Sequence, residues 1–119
     1  MRVLTTTICY PTAEQPDHGV FIQRRAAALT ARGHVQVQVV SPQPWCPLLR
    51  PNHPVPDQEF PVPATYPRMW SIPVLSRIAD GLSFGRTLER YILDHGGSSQ
   101  FDLIDAHFVY PDGVGAWLA

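Results

Sequence analysis

At 119 residues the chain can build one modest core and is too short for two independent domains, and 45% apolar against 16% charged residues excludes a disordered or polyelectrolyte segment. A net charge of −1 supplies no long-range field, and no basic helix or aromatic-plus-basic ladder occurs, so nucleic acid is not an expected partner. All nine basic residues are arginine, and Cys9 and Cys46 match neither a zinc spacing nor a disulfide framework, which is consistent with free thiols in a reducing cytoplasm.

The first ten residues, "MRVLTTTICY", lack the continuous apolar stretch of a secretory signal, and no run approaches membrane-spanning length. The chain is therefore expected in the cytoplasm, with peripheral attachment to the inner face of the membrane left open. Residues 3–9, "VLTTTIC", are β-branched and predict a strand. Residues 20–32 place Ile22, Ala26 and Leu29 at helical spacing, and Gly33 ends that helix as a left-handed cap. "VQVQVVS" at 35–41 alternates valine with glutamine and predicts a strand exposed on one face. The three segments form a βαβ unit, whose length suits a right-handed crossover between parallel strands.

Residues 42–73 hold ten of the thirteen prolines together with Trp45, Trp70, Tyr66 and Met69. This Pro/Trp-rich insertion loop should contain little regular structure. A short strand over 59–65 is expected, from the alternation of Phe60, Val62 and Ala64, and its prolines restrict it to a sheet edge. From Pro73 to about Asp94 the pattern is helical, with Leu75, Ile78, Ala79 and Leu82 as one stripe continued by Phe84, Leu88, Tyr91 and Ile92. "HGGSSQ" ends the helix, "FDLIDA" at 101–106 is a short strand, and a Pro-Asp-Gly turn leads toward a last helix.

This order predicts an α/β fold, a Rossmann-like open and mainly parallel sheet flanked by helices, in which ligands bind at the carboxyl ends of the strands. Two loops become candidates, 10–19 after the first strand and 107–113 after the last, side by side if those strands are neighbours. Gly19 offers close backbone approach where the free N–H groups of a helix begin, suited to a phosphate or sugar oxygen. The plainer reading is that Asp17 caps the helix and Gly19 relieves a tight turn. No G-x-G-x-x-G fingerprint and no P-loop lysine accompany it.

The second loop gathers Asp105, His107, Tyr110 and Asp112. A histidine at a strand's end can hydrogen-bond, move a proton or bind metal, or it can merely bond a loop carbonyl. Asp105 and His107 alone are a weak metal signal, since zinc or manganese needs further ligands.

Together, "HGVFIQRRAAALTARGHVQVQVVSP" and "FDLIDAHFVYPDGVGAWLA" resemble the amino-terminal domain of retaining glycosyltransferases of family 4, with the GT-B fold. The resemblance spans nearly the whole chain. It rests on the glycine before the first helix, the Gly-His pair that closes it, and the string D-x-I-x-A-H-x-x-x-P-x-G. It implies transfer of a sugar from a nucleotide-sugar donor to a glycan or lipid-linked acceptor, with retention at the anomeric carbon and with no metal or other cofactor required. Gly19, with His18 and Val20 beside it, matches the family's glycine loop, which approaches donor phosphates and acceptor through its backbone. His107 matches the family's catalytic histidine near the transferred sugar, and Tyr110, Asp112 and Gly113 continue the second loop.

The family's second domain, with its basic diphosphate-binding pair and glutamate-bearing donor motif, has no counterpart in these residues. Residues 1–119 are accordingly expected to be a single, incomplete acceptor-side domain, inactive alone, part of an enzyme of polysaccharide biosynthesis. The last strand would then expose an edge, from which self-association is expected. Trp45, Leu48, Leu49, Arg50, Tyr66, Arg68, Met69 and Trp70 combine apolar and cationic side chains, as an acceptor or membrane surface would, although aromatics more often cover a core. From other classes, a non-catalytic α/β domain that binds a small phosphorylated ligand and a metal-dependent hydrolase using Asp105 and His107 remain as alternatives.

Overall fold

The computed structural model describes residues 1–48, 57, 61–72 and 76–119. Leu49, Arg50, Phe60 and Leu75, and the side chain of Ile78, fall outside the described residues. Among the described residues, six strands and three α-helices run in the order β1 (Arg2–Thr6), α1 (Val20–Ala31), β2 (Gln36–Val40), β3 (Gln43–Trp45), β4 (Ala64–Thr65), β5 (Arg68–Trp70), α2 (Ser76–Asp94), β6 (Leu103–Ala106) and α3 (Val114–Leu118). The main sheet has the order β4-β2-β1-β6 and every pair in it is parallel. This is the Rossmann-like α/β architecture expected from the alternation of strand and helix periods.

β1 lies inside the sheet and is buried on both faces, so its side chains divide between two cores. Val3 joins Ile22 and Ala26 of α1, together with Val37, Val39, Val62 and Ala64, on one face. Leu4 joins Phe84, Leu88, Tyr91 and Ile92 of α2, together with Val40 and Met69, on the other. Each fully buried aliphatic side chain contributes about 1.5–3 kcal/mol, so the two helices are held chiefly by these alternating positions.

Three expectations are corrected. β2 is only partly open on one face: Gln36 is exposed, but the half-buried Gln38 lies against α2, where its amide donates to the hydroxyl of Tyr91. In α2, Ala79 and Leu82 face outward, while Gly81, Phe84, Gly85, Leu88, Tyr91 and Ile92 are buried. The inward stripe includes two glycines because α3 packs there: a Cβ on Gly85 would stand 3.1 Å from the Gly115 carbonyl oxygen, and one on Gly115 3.0 Å from the Gly85 nitrogen. At the start of α1 no side chain caps the helix, so Asp17 does not act as its cap, and the N-cap position is Gly19 itself.

The Pro/Trp-rich segment contributes more order than its composition suggests. β4 occupies the sheet edge, where Val39 N–H donates to the Pro63 carbonyl at 2.8 Å and Ser41 N–H to that of Thr65 at 2.9 Å. β3 and β5 form a separate parallel pair, with Trp45 opposite Trp70. Tyr66 is buried, and its hydroxyl donates to the Pro11 carbonyl at 2.6 Å, fastening this segment to the loop after β1. No described helix is long and apolar enough to cross a membrane.

Candidate functional site

β1 pairs with β6 over Val3–Leu103 to Thr6–Ala106, so the two strands end level and the loops that follow them leave the sheet together. This is the carboxyl edge at which open parallel sheets receive ligands.

In the first of these loops Gly19 takes the left-handed conformation (φ 72°, ψ 23°) immediately before α1. A Cβ there would overlap the Cys9 carbonyl oxygen and lie 2.8 Å from its carbon. Real Cβ atoms do not approach so closely, and φ is unfavourable for any other residue, so the loop requires glycine twice over. Gly19 supplies the first carbonyl acceptor of α1 to the N–H groups of Ile22 and Gln23, at 2.9 and 3.3 Å. The N–H groups that precede these at the helix start have no intrahelical partner, and no side chain takes them up. Among the flanking residues, His18 is exposed and Val20 half-buried.

In the second loop His107 follows β6 directly. Its side chain is 7% exposed, and Nε2 lies 3.4 Å from Oδ2 of Asp105, whose same oxygen is 3.4 Å from a guanidinium nitrogen of Arg25 on α1. Nε2 is buried without a well-formed hydrogen bond. Burial pushes the imidazole pKa below its ordinary value, with the Arg25 charge acting in the same sense and Asp105 opposing both. At neutral pH the ring is therefore uncharged, able to donate from one nitrogen and accept at the other.

Phe21, in the first turn of α1 and 60% exposed, lies edge-on to the His107 ring with centroids 6.2 Å apart, and edge-on to Phe108 at 6.5 Å. Phe21, two residues after Gly19, thus brings the start of α1 against His107 and Phe108. Sequence reasoning missed Phe21 and Phe108. Their signal was available only from the fold: two large apolar residues kept exposed beside chemically active groups.

The remaining residues of the loop divide. Over Val109–Gly113 the chain makes an irregular turn with Tyr110 extended, and the peptide bond before Pro111 is cis. The Tyr110 hydroxyl accepts the Gly81 N–H at 3.0 Å, so this side chain is engaged with α2. Gly113 N–H closes the turn on the Phe108 carbonyl at 2.7 Å. Asp112 is wholly buried, with both carboxylate oxygens 3.2 Å from the Ile8 nitrogen, and desolvation pushes its pKa up to about 6.

Trp45, Arg68 and Trp70 form a cluster of their own. The indoles of Trp45 and Trp70 meet edge to face at 6.1 Å, and the Arg68 guanidinium stacks 5.3 Å over the Trp45 ring. Arg68 and Trp70 also border a groove of about 470 Å³ along α2, with Ile72, Leu82, Arg86 and Arg90 on its walls. Leu48 is exposed, whereas Tyr66 and Met69 belong to the core and not to this surface.

Among the described residues no group of three or more His, Cys, Asp and Glu side chains gathers in a way that could hold a metal ion. No family model, curated protein or solved structure matches the chain.

Proposed function

We propose that this chain is the acceptor-side, amino-terminal part of a retaining glycosyltransferase of the GT-B type, which moves a sugar from a nucleotide-sugar to a glycan or lipid-linked acceptor. The observation that carries the reading is the convergence of Gly19 and His107 at one carboxyl edge, which follows from the pairing of β1 with β6.

Each group suits the chemistry physically. Gly19 leaves room for a ligand's oxygens to approach the backbone at the positive end of α1. An uncharged His107 can hold a sugar hydroxyl without adding positive charge beside an oxocarbenium-like transition state, and the neighbouring Asp105 carboxylate favours positive charge there. Phe21 and Phe108 offer apolar surface for the face of a sugar ring. In this reading a second α/β domain supplies the donor diphosphate site across the cleft, and the chain alone turns nothing over. The groove of Arg68, Trp70, Leu82, Arg86 and Arg90 fits an acceptor with an anionic head and an apolar tail, held at a membrane surface.

The test is a nuclear magnetic resonance titration of the isotopically labelled chain with uridine, guanosine and adenosine diphosphate sugars. Weak, saturable shifts are expected at the amides of 18–21 and 105–113, abolished by His107→Ala. Shifts confined to other parts of the sheet, or none at millimolar ligand, overturn the reading. Co-sedimentation with phosphatidylglycerol vesicles, lost on Arg86→Gln with Arg90→Gln, tests the acceptor surface; equal binding to phosphatidylcholine removes it.

A further inference from the structure

Asp112 is the most deeply buried ionisable group of the carboxyl edge, and none of the steps above uses it. It lies in the turn Val109–Gly113, yet its carboxylate reaches back to β1: both oxygens stand 3.2 Å from the Ile8 nitrogen, two residues beyond the last β1 residue. The Thr7 hydroxyl and the amides of Phe108 and of Asp112 itself also favour the ionised form. The loops are thereby joined at one point. On one side, Ile8 leads directly to Cys9, whose carbonyl is the atom a Cβ at Gly19 would strike. On the other, the turn closes through Gly113 N–H on the carbonyl of Phe108, the neighbour of His107 in sequence and of Phe21 in space.

This arrangement does not maximise stability, because desolvation outweighs the hydrogen bonds that the carboxylate accepts. Burial and the Asp112 charge both push the Cys9 thiol up, and no cation is among the described groups acting on Asp112. A buried acceptor that costs stability and ties two loops together has a geometric use.

We propose that Asp112 is a positioning residue that clamps the loop after β1 to the loop after β6 and so sets where Gly19 stands relative to His107. Its functional meaning rests on the transferase reading, whereas the clamp itself is tested without any ligand. In Asp112→Asn, which keeps the side chain's size, the unfolding temperature at neutral pH should be no lower than in the wild type. Asp112→Ala removes both acceptor oxygens: in it, hydrogen exchange at the Ile8 amide should rise about tenfold or more, and the Gly19 and Phe21 amides and the His107 ring signals should move with it.

An unchanged Ile8 amide, or a changed Ile8 with Gly19 and His107 unmoved, overturns the clamp. Should the variant fail to fold, titration of His107→Ala, in which no imidazole at this position contributes, keeps the question open to refutation: the Ile8 and Gly19 amides must share one midpoint, and separate midpoints overturn the coupling. With nucleotide-sugar present, the clamp predicts that Asp112→Ala weakens the shifts at residue 107 at least fivefold. If the folded wild type gives no such shifts while the ligand-free changes occur, the transferase reading fails and the clamp stands.

Discussion

In the loop after β1 the geometry turns on a missing group, the Cβ of Gly19, whereas the loop after β6 is built on side chains: the His107 imidazole, the Asp112 carboxylate and the Tyr110 hydroxyl. The two differ in what can perturb them. A site defined by backbone has no protonation state to change and tolerates no added atom. One defined by buried polar side chains accepts isosteric replacement but responds to pH through every desolvated group it contains.

The largest effect should come from adding a single carbon to the first loop. Gly19→Ala must either carry a left-handed φ with a Cβ against the Cys9 carbonyl or move β1's exit from α1. A loss of more than about 3 kcal/mol is expected in urea denaturation. A loss under about 0.5 kcal/mol would show that the loop shifts freely and that Gly19 is not required by the fold.

Next in size is the pH response of the second loop. Asp112 has its pKa raised in the fold from 3.8 to about 6, so the folded state binds the proton more tightly than the unfolded chain. The stability this brings is fully present below the unfolded value and is lost as pH rises through the folded one. Relative to Asp112→Asn, the wild type should therefore lose about 3 kcal/mol between roughly pH 3.5 and pH 7. A difference between the two proteins that stays flat over this range would mean that the carboxylate is not desolvated.

How far these sites could be read from sequence follows the same division. β1, α1, β2 and β6 are legible because each carries an apolar period, and the level ends of β1 and β6 follow once the two strands are neighbours. The edge placement of β4 is legible from Pro61 and Pro63 just before it, which limit ladder hydrogen bonding. The direction of α2 is not legible, since its inward face is partly glycine: Gly81 and Gly85 carry no hydropathy signal, and Leu82 draws the apparent stripe outward although it faces the groove. The partner of Gln38 lies 53 residues away, so alternation in β2 suggests a wholly open face, which Tyr91 in fact covers in part. Asp112 in a Pro-Asp-Gly turn reads as a solvated turn residue, and only its contact with Ile8, 104 residues earlier, makes it buried.

His107→Ala should separate stability from site chemistry. Only 7% of the His107 side chain is exposed, and its loss removes contact with Phe21, for about 1–2 kcal/mol near neutral pH. Its pKa is lowered in the fold, so the stability linked to the neutral ring is present above the unfolded value and is lost as pH falls through the folded one. The variant should lack that acid-side decline. Ligand-induced shifts at 18–21 should nevertheless collapse in it; shifts of wild-type size would remove the imidazole from the site.

The smallest effect, and the sharpest in sign, belongs to the charges around that imidazole. Arg25 is more than half exposed, so its field is partly screened and its contribution to stability is within a few tenths of a kcal/mol. Arg25→Gln removes a charge that lowers the His107 pKa and frees Asp105 to act on the ring alone, so the midpoint read from the imidazole protons should rise. Asp105→Asn removes the carboxylate that raises the pKa, and leaves burial and Arg25 to lower it further, so the midpoint should fall. Loosening of the loop cannot mimic the pair, because exposure to water moves the imidazole toward its ordinary value of 6.5 in both variants. A rise in both would therefore indicate loosening, while opposite shifts would show that the arginine on α1 and the aspartate on β6 tune, in opposite senses, an imidazole whose pKa burial lowers.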